Sequence, residues 1–172
     1  RSHSAYLACG GDLVKFFAEL MGRKYGCSLG MGGSMHLISE ENGFYGSTSI
    51  VGGTIGIATG IAFANKLAYN KNITVSFFGD GAVEEGICYE SLNFAAVHNL
   101  PIIYVCENNG YAISQPLLNR QNSESIYKRF ENIGVKCLEV DGNNPIEVFK
   151  ITKKCVGDIK IGKGPFFIEA KT

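Results

Sequence analysis

Residues 73–109 read ITVSFFGDGAVEEGICYESLNFAAVHNLPIIYVCENN, and this stretch decides the fold. Ile73 to Phe78 is a short apolar run, rich in β-branched and aromatic residues, as in a buried strand. Gly79-Asp80-Gly81 closes it. Glu84 to His98 reads as a helix, a connection too long for a hairpin. Pro101 to Cys106 is the next strand, ended by Glu107-Asn108-Asn109. A strand-helix-strand unit makes a right-handed parallel crossover. Asp80 and Asn109, twenty-nine positions apart, then sit side by side at the carboxyl edge of neighbouring strands. Open α/β sheets bind their ligands at that edge.

The residue types suggest the ligand. Asp80 offers a carboxylate and Asn109 an amide oxygen, hard donors that suit Mg²⁺ or Ca²⁺ better than zinc. Mg²⁺ takes few protein ligands and completes its shell with phosphate oxygens and water. Gly79 and Gly81 lack a Cβ, so a phosphate could approach the backbone, with the N–H groups of the following helix aimed at it. A metal-bridged diphosphate is the simplest guest. An Asp-Gly is equally a common turn, and Asn-Asn-Gly a common loop, so these residues alone leave both readings open.

Working outward, Asp12 to Met21 reads as a helix with Asp12 as N-cap, and the glycine-rich Gly22 to Gly33 as loop. The run from Gly52 is apolar with small residues at helical spacing and reads as a buried helix. Gln115 to Ser125 reads as a long polar loop and Ile126 to Asn132 as a short helix. Val135 to Val140 is a third strand and Pro165 to Ala170 the last. Between them, Pro145 to Val156 is a helix with proline in its first turn. Strands alternating with helices predict an α/β fold, a parallel sheet with helices on both faces. Residues 1–172 read as a single domain. The start at Arg1 rather than Met suggests trimming, and a targeting segment removed upstream fits that.

Charge and cysteine narrow the function. Sixteen basic residues balance sixteen acidic ones, so nothing argues for a nucleic-acid partner or an anionic membrane. No apolar run reaches the length of a membrane span. Cys9, Cys27, Cys88, Cys106, Cys137 and Cys155 form no C-x-x-C pair, and their reading is free thiols in a reducing compartment.

The string GDGAVEEG…ESLNFAAVHNLPIIYVCENNGYAIS resembles the thiamine diphosphate motif of the alpha subunit of 2-oxo-acid dehydrogenase first components, the pyruvate and acetoin dehydrogenase group. RSH at the start, GRKYGCSLGMGGSMH, SIVGGTIGIATGIA, VDGNN and GKGPFFIEAKT extend the resemblance over essentially the whole chain. It implies a thiamine diphosphate-binding fold, with Mg²⁺ held by Asp80, Asn109 and the main-chain oxygen of Tyr111. It also implies that Gly79, Gly81 and Ala82 bracket the diphosphate and that Arg1 reaches it. It further implies that the main chain of the Ile50-Val51 pair holds the aminopyrimidine ring, and that Ser49, just before that pair, belongs to the cofactor site with Val51. Ser49 stands where the family usually has glycine, and Glu84-Glu85 where pyruvate-type relatives often have Asn-Gln.

The activity so implied is oxidative decarboxylation of a 2-oxo acid, with the acyl group passed to a lipoyl-bearing acyltransferase. The partner implied is a beta subunit in an alpha2beta2 enzyme. That subunit supplies the activating glutamate, so no catalytic residue is assigned here. The location implied is the cytoplasm, or the mitochondrial or plastid matrix if a targeting segment was removed. Two other readings remain: a transketolase-like or decarboxylase thiamine diphosphate enzyme, and a non-catalytic cofactor-binding subunit. His36 is open between a pocket residue and a satisfied loop histidine, and His98 reads as structural at a helix end.

Overall fold

The structure is a computed structural model that describes residues 2–172, so Arg1, assigned above to the diphosphate, lies outside the described residues. The chain groups into two compact units, Arg1–Ile50 and Val51–Thr172.

The first unit carries helices α1 (His3–Ala8) and α2 (Leu13–Leu20). Asp12 caps α2 as the sequence predicts, its Oδ1 accepting the Lys15 N–H at 2.7 Å. Tyr6, Phe16 and Leu37 form the apolar centre, with Cys27 and Phe44 packed against them. Behind it lies a feature that the sequence pattern hides. Glu19, in the last turn of α2, is fully buried. Its Oε2 accepts the N–H groups of Ser28 (2.7 Å) and Gly30 (2.9 Å), and its Oε1 those of Gly32 (2.7 Å) and Gly33 (2.9 Å). Burial pushes this carboxyl up, but the four backbone donors outweigh it and hold the group below its ordinary value. The glycine-rich loop is thus wrapped around one carboxylate. Gly26 makes room for it: a Cβ there would lie 2.3 Å from Glu19 Oε2.

The second unit is the α/β body. Its elements are α3 (Gly53–Leu67), β1 (Thr74–Gly79), α4 (Gly86–Val97), β2 (Ile102–Asn108), β3 (Tyr111–Ala112), β4 (Gln115–Pro116), β5 (Lys136–Asp141), α5 (Pro145–Lys160) and β6 (Phe166–Lys171). Four strands form one sheet in the order β1-β2-β6-β5, every pair parallel. Alternate residues of the central strands go to opposite faces. Ile102, Tyr104, Cys106 and Phe167 pack with α3 and α4, through Ile55, Ala58, Ala62, Cys88, Leu92 and Ala95. Ile103, Phe166, Ile168 and Ala170 pack with α5 through Cys155 and Ile159. Both faces are apolar because both are covered, which is why these strands read as continuous apolar runs.

Three expectations need adjustment. The helix read from Glu84 begins at Gly86, because Asp80–Glu84 forms a 3₁₀ turn and Glu85 is extended (φ −72°, ψ 132°). The short helix read over Ile126 to Asn132 is two 3₁₀ turns, Tyr127–Arg129 and Glu131–Ile133. The polar stretch after Tyr111 folds partly into the β3–β4 hairpin and a 3₁₀ turn, Leu117–Asn119. His98 caps α4, its ring against Phe94 (centroids 4.3 Å) and Phe63 (5.2 Å). Among the described residues, no helix is long and apolar enough to cross a membrane.

Candidate diphosphate and metal site

β1 and β2 run side by side in register from Thr74↔Ile102 to Gly79↔Glu107, so Asp80 and Asn109 leave the sheet at the same carboxyl edge. Gly79, Gly81, Ala82 and Tyr111 come with them. Val51 precedes α3 by way of Gly52, whose left-handed φ of +80° sets the turn. A Cβ on Gly52 would lie 3.2 Å from Cβ of Glu85, so the start of α3 lies beside the Asp80–Glu85 segment. Ser49 belongs to the first unit, where its hydroxyl lies 3.4 Å from Nε2 of His36.

Asp80 is the buried member, 2% exposed. Its Oδ2 accepts a hydrogen bond from Nη2 of Arg120 at 2.5 Å, while Nη1 of the same guanidinium bonds Glu84 Oε1. Gln121 Nε2 donates to the same Glu84 oxygen at 3.0 Å, and Arg129 Nη1 donates to Gln121 Oε1 at 2.6 Å. A chain of alternating donors and acceptors thus runs Asp80, Arg120, Glu84, Gln121, Arg129. The sequence reading missed Arg120 because it sits in a polar run without periodicity. The one signal near it was Glu84, which with Glu85 departs from the Asn-Gln that the resemblance leads one to expect.

The two asparagines divide the work. Asn108 is buried; its Nδ2 donates to Glu169 Oε1 at 2.7 Å and its Oδ1 accepts the Gly110 N–H at 2.9 Å. Glu169, fully buried on β6, also accepts the Tyr127 N–H at 2.9 Å, tying the loop back to the sheet. Asn109 is exposed, its Oδ1 accepting the Tyr111 N–H at 3.0 Å in a local turn. That bond fixes the orientation of the amide and the path of the backbone to Tyr111.

The glycines differ as well. A Cβ on Gly79 would meet nothing within 4 Å, so the space over this backbone is open. On Gly81 it would lie 2.9 Å from Cβ of Ala112, so this glycine is accounted for by close packing of the β3–β4 hairpin. Ala82 is buried in the core. Among the described residues no cluster of three or more His, Cys, Asp or Glu side chains could hold a metal. One carboxylate, one amide and a main-chain oxygen is nevertheless the hard, sparse donor set that Mg²⁺ accepts when phosphate oxygens complete its shell. Asp80 already satisfies a cation, the guanidinium, at the position where the metal is expected. The residues fit the group.

The model of the family described as dehydrogenase E1 component matches residues 1–172. The chain belongs to that family. It is 40% identical over 172 residues to the pyruvate dehydrogenase E1 component subunit alpha of Rhizobium meliloti (strain 1021), covering all of this chain and 49% of the relative. It is 39% identical to the subunit of the same name in Rickettsia felis, covering 53% of it. It is 42% identical to the mitochondrial subunit alpha-1 of Oryza sativa subsp. japonica, covering 43% of it. The chain therefore spans about half the length of these curated relatives. A solved structure from Mycobacterium smegmatis, described as a candidate thiamin diphosphate-dependent enzyme, superposes with TM-score 0.61 at 22% identity, over 75% of this chain and 24% of that one. At that identity the likeness is one of fold, and it agrees with the parallel sheet read from the sequence.

Proposed function

We propose that this chain is the metal- and diphosphate-holding part of the alpha subunit of a thiamine diphosphate-dependent 2-oxo-acid dehydrogenase. The observation that carries the proposal is the placement of Asp80 and Asn109 at one edge of two adjacent parallel strands, within a chain whose whole length matches the family. Asp80, Asn109 and the main-chain oxygen of Tyr111 would hold Mg²⁺. Gly79 leaves the diphosphate room against the backbone, with Gly81 and Ala82 fixing the turn below it. Arg1, Ser49 and Val51 are assigned to the same cofactor on the sequence resemblance.

When bound, thiamine diphosphate supplies the electron sink for loss of CO₂ from a 2-oxo acid. The part of this chain is positioning. The buried carboxylate of Asp80 fixes the cation. The Asn109 turn and the Asn108–Glu169 hydrogen bond fix the loop that carries the other ligands. Positioning of this kind supplies about 7–11 kcal/mol of barrier reduction in model reactions. The resemblance assigns the activating glutamate to a beta subunit and the acyl acceptor to a lipoyl-bearing acyltransferase, in an alpha2beta2 assembly. The name of the rice relative, which includes the word mitochondrial, supports a mitochondrial location, and a cytoplasmic one would suit a bacterial source.

The test is an assay of the full-length protein with its beta subunit, Mg²⁺ and thiamine diphosphate. CO₂ release is followed with an artificial electron acceptor over a panel of 2-oxo acids. Turnover of at least one 2-oxo acid that stops when Mg²⁺ is chelated is expected. Cofactor binding without turnover of any of them would leave a binding subunit.

A further inference from the structure

The guanidinium of Arg120 lies on the carboxylate that the proposed function gives to the metal. Arg120 is held at both ends. Nη2 is on Asp80, Nη1 is on Glu84, and Nε donates to the Gln115 carbonyl at 3.3 Å. Its side chain is 8% exposed, so solvent does little to compete for it. Glu84, at 34%, is the more accessible of the two carboxylates and receives a second donor from Gln121. We propose that Arg120 and the divalent cation compete for Asp80, and that Glu84 is the carboxylate that retains Arg120 when the cation takes Asp80. This rests on the reading of Asp80 as a metal ligand, and it gives roles to two residues that the metal and diphosphate motif does not include.

The reasoning is electrostatic. A divalent cation bound to Asp80 would stand within contact range of a guanidinium, and two like charges on one carboxylate repel. Arg120 has somewhere to go without crossing solvent, because Glu84 already holds its other nitrogen. Arginine suits such an exchange, since its planar fork offers several donors at fixed spacing and one can be released while another is kept. The exchange also reaches further. Arg120 follows the Leu117–Asn119 turn and the β3–β4 hairpin, and Gln121 links Glu84 to Arg129. Cation binding at Asp80 would thereby pull on the segment from Gln115 to Arg129. Glu84 is the specific element: an amide at this place would lack the charge to retain a guanidinium.

The experiment measures Mn²⁺ affinity of the full-length protein, purified with its partner subunit, at saturating thiamine diphosphate. Free Mn²⁺ is counted by electron paramagnetic resonance. Arg120→Gln is expected to tighten binding about tenfold, and Glu84→Gln to weaken it about tenfold, within the usual range of coupling between sites. In the Arg120→Gln, Glu84→Gln double variant the effect of Glu84 is expected to fall below about threefold, because it acts through Arg120. Melting curves identify any variant that fails to fold. If Arg120→Gln fails, Glu84→Gln still carries its own sign, and tighter or unchanged binding there contradicts the exchange. Weaker or unchanged binding in folded Arg120→Gln overturns it, as does an undiminished Glu84 effect in the double variant. Asp80→Asn separates the two levels of the argument. If it leaves Mn²⁺ affinity unaltered, the metal assignment itself is wrong. If it abolishes binding while Arg120→Gln changes nothing, only the exchange is wrong.

Discussion

Glu19 and Asp80 are both buried carboxylates, and they are satisfied in opposite ways. Glu19 is ringed by four backbone N–H groups from a single loop, while Asp80 is paired with one side chain. Backbone donors move only when the loop unfolds. A guanidinium on a flexible stem moves by side-chain rotation. The first arrangement therefore builds structure, and the second leaves a carboxylate that another cation can claim. Burial alone does not distinguish them; the identity of the donor does.

The sharpest way to break this contrast is to neutralise each carboxylate. Glu19→Gln keeps the shape but presents an NH₂ to two N–H donors, so two to four polar groups lose a partner. A loss of about 2–6 kcal/mol in unfolding free energy is expected, read by chemical denaturation. Asp80→Asn is expected to cost less, about 1–2 kcal/mol, because Arg120 keeps Glu84. Equal costs would end the distinction.

Gly26→Ala probes the same loop from the other side. Its new Cβ would meet the Glu19 carboxylate at 2.3 Å and the Glu19 backbone at 2.6 Å. Overpacking of this kind costs about 1–3 kcal/mol, and melting temperature is the readout. Gly79→Ala, where a Cβ meets nothing within 4 Å, is expected to leave stability nearly unchanged while reducing thiamine diphosphate affinity.

Acid gives a third probe. The folded value of Glu19 lies below its unfolded value near 4.5, so its contribution is fully present above that value. It is lost as pH falls through the depressed folded value. The stability gap between the wild type and Glu19→Gln is therefore expected to be constant from about pH 7 to 5 and to shrink below about pH 4. A gap that widens on acidification would contradict the four-donor account.

The smallest effect is a difference in thiol reactivity. All six cysteines are free; Cys9 is exposed, whereas Cys88, Cys106 and Cys155 are buried. Burial pushes the Cys88 thiol up to about 12 and Cys155 to about 11. Cys9 is expected to react first with a thiol reagent, and the three buried thiols only on unfolding, as mass spectrometry of the labelled protein would report.

The same contrast explains what the sequence could and could not convey. β1, β2 and their crossover were legible because strand and helix periods are local, and Asp12 and Pro145 marked helix starts by their own chemistry. The insertion of β6 between β2 and β5 was not legible, since strand order depends on pairing between distant segments. Asp80 and Asn109 were visible through a motif of fixed topology. Glu19 was not, because a glutamate in the last turn of a helix reads as a surface charge until partners nine to fourteen residues later fold over it. Arg120 was hidden for a related reason: its partners lie thirty-six and forty residues away in the chain. The 3₁₀ turn at Asp80–Glu84 escaped because the helical pattern runs through it, and only the extended backbone of Glu85 breaks the helix.

The central claim is that the Asp80–Asn109 edge holds a cation that bridges the diphosphate. Isothermal calorimetry of thiamine diphosphate binding to the full-length protein, with Mg²⁺ and with a chelator, tests it most directly. The account predicts Mg²⁺-dependent binding that is abolished in Asp80→Ala and weakened to a lesser degree in Asn109→Ala, where only a neutral donor is lost. Binding by Asp80→Ala with unchanged affinity and unchanged Mg²⁺ dependence would contradict it.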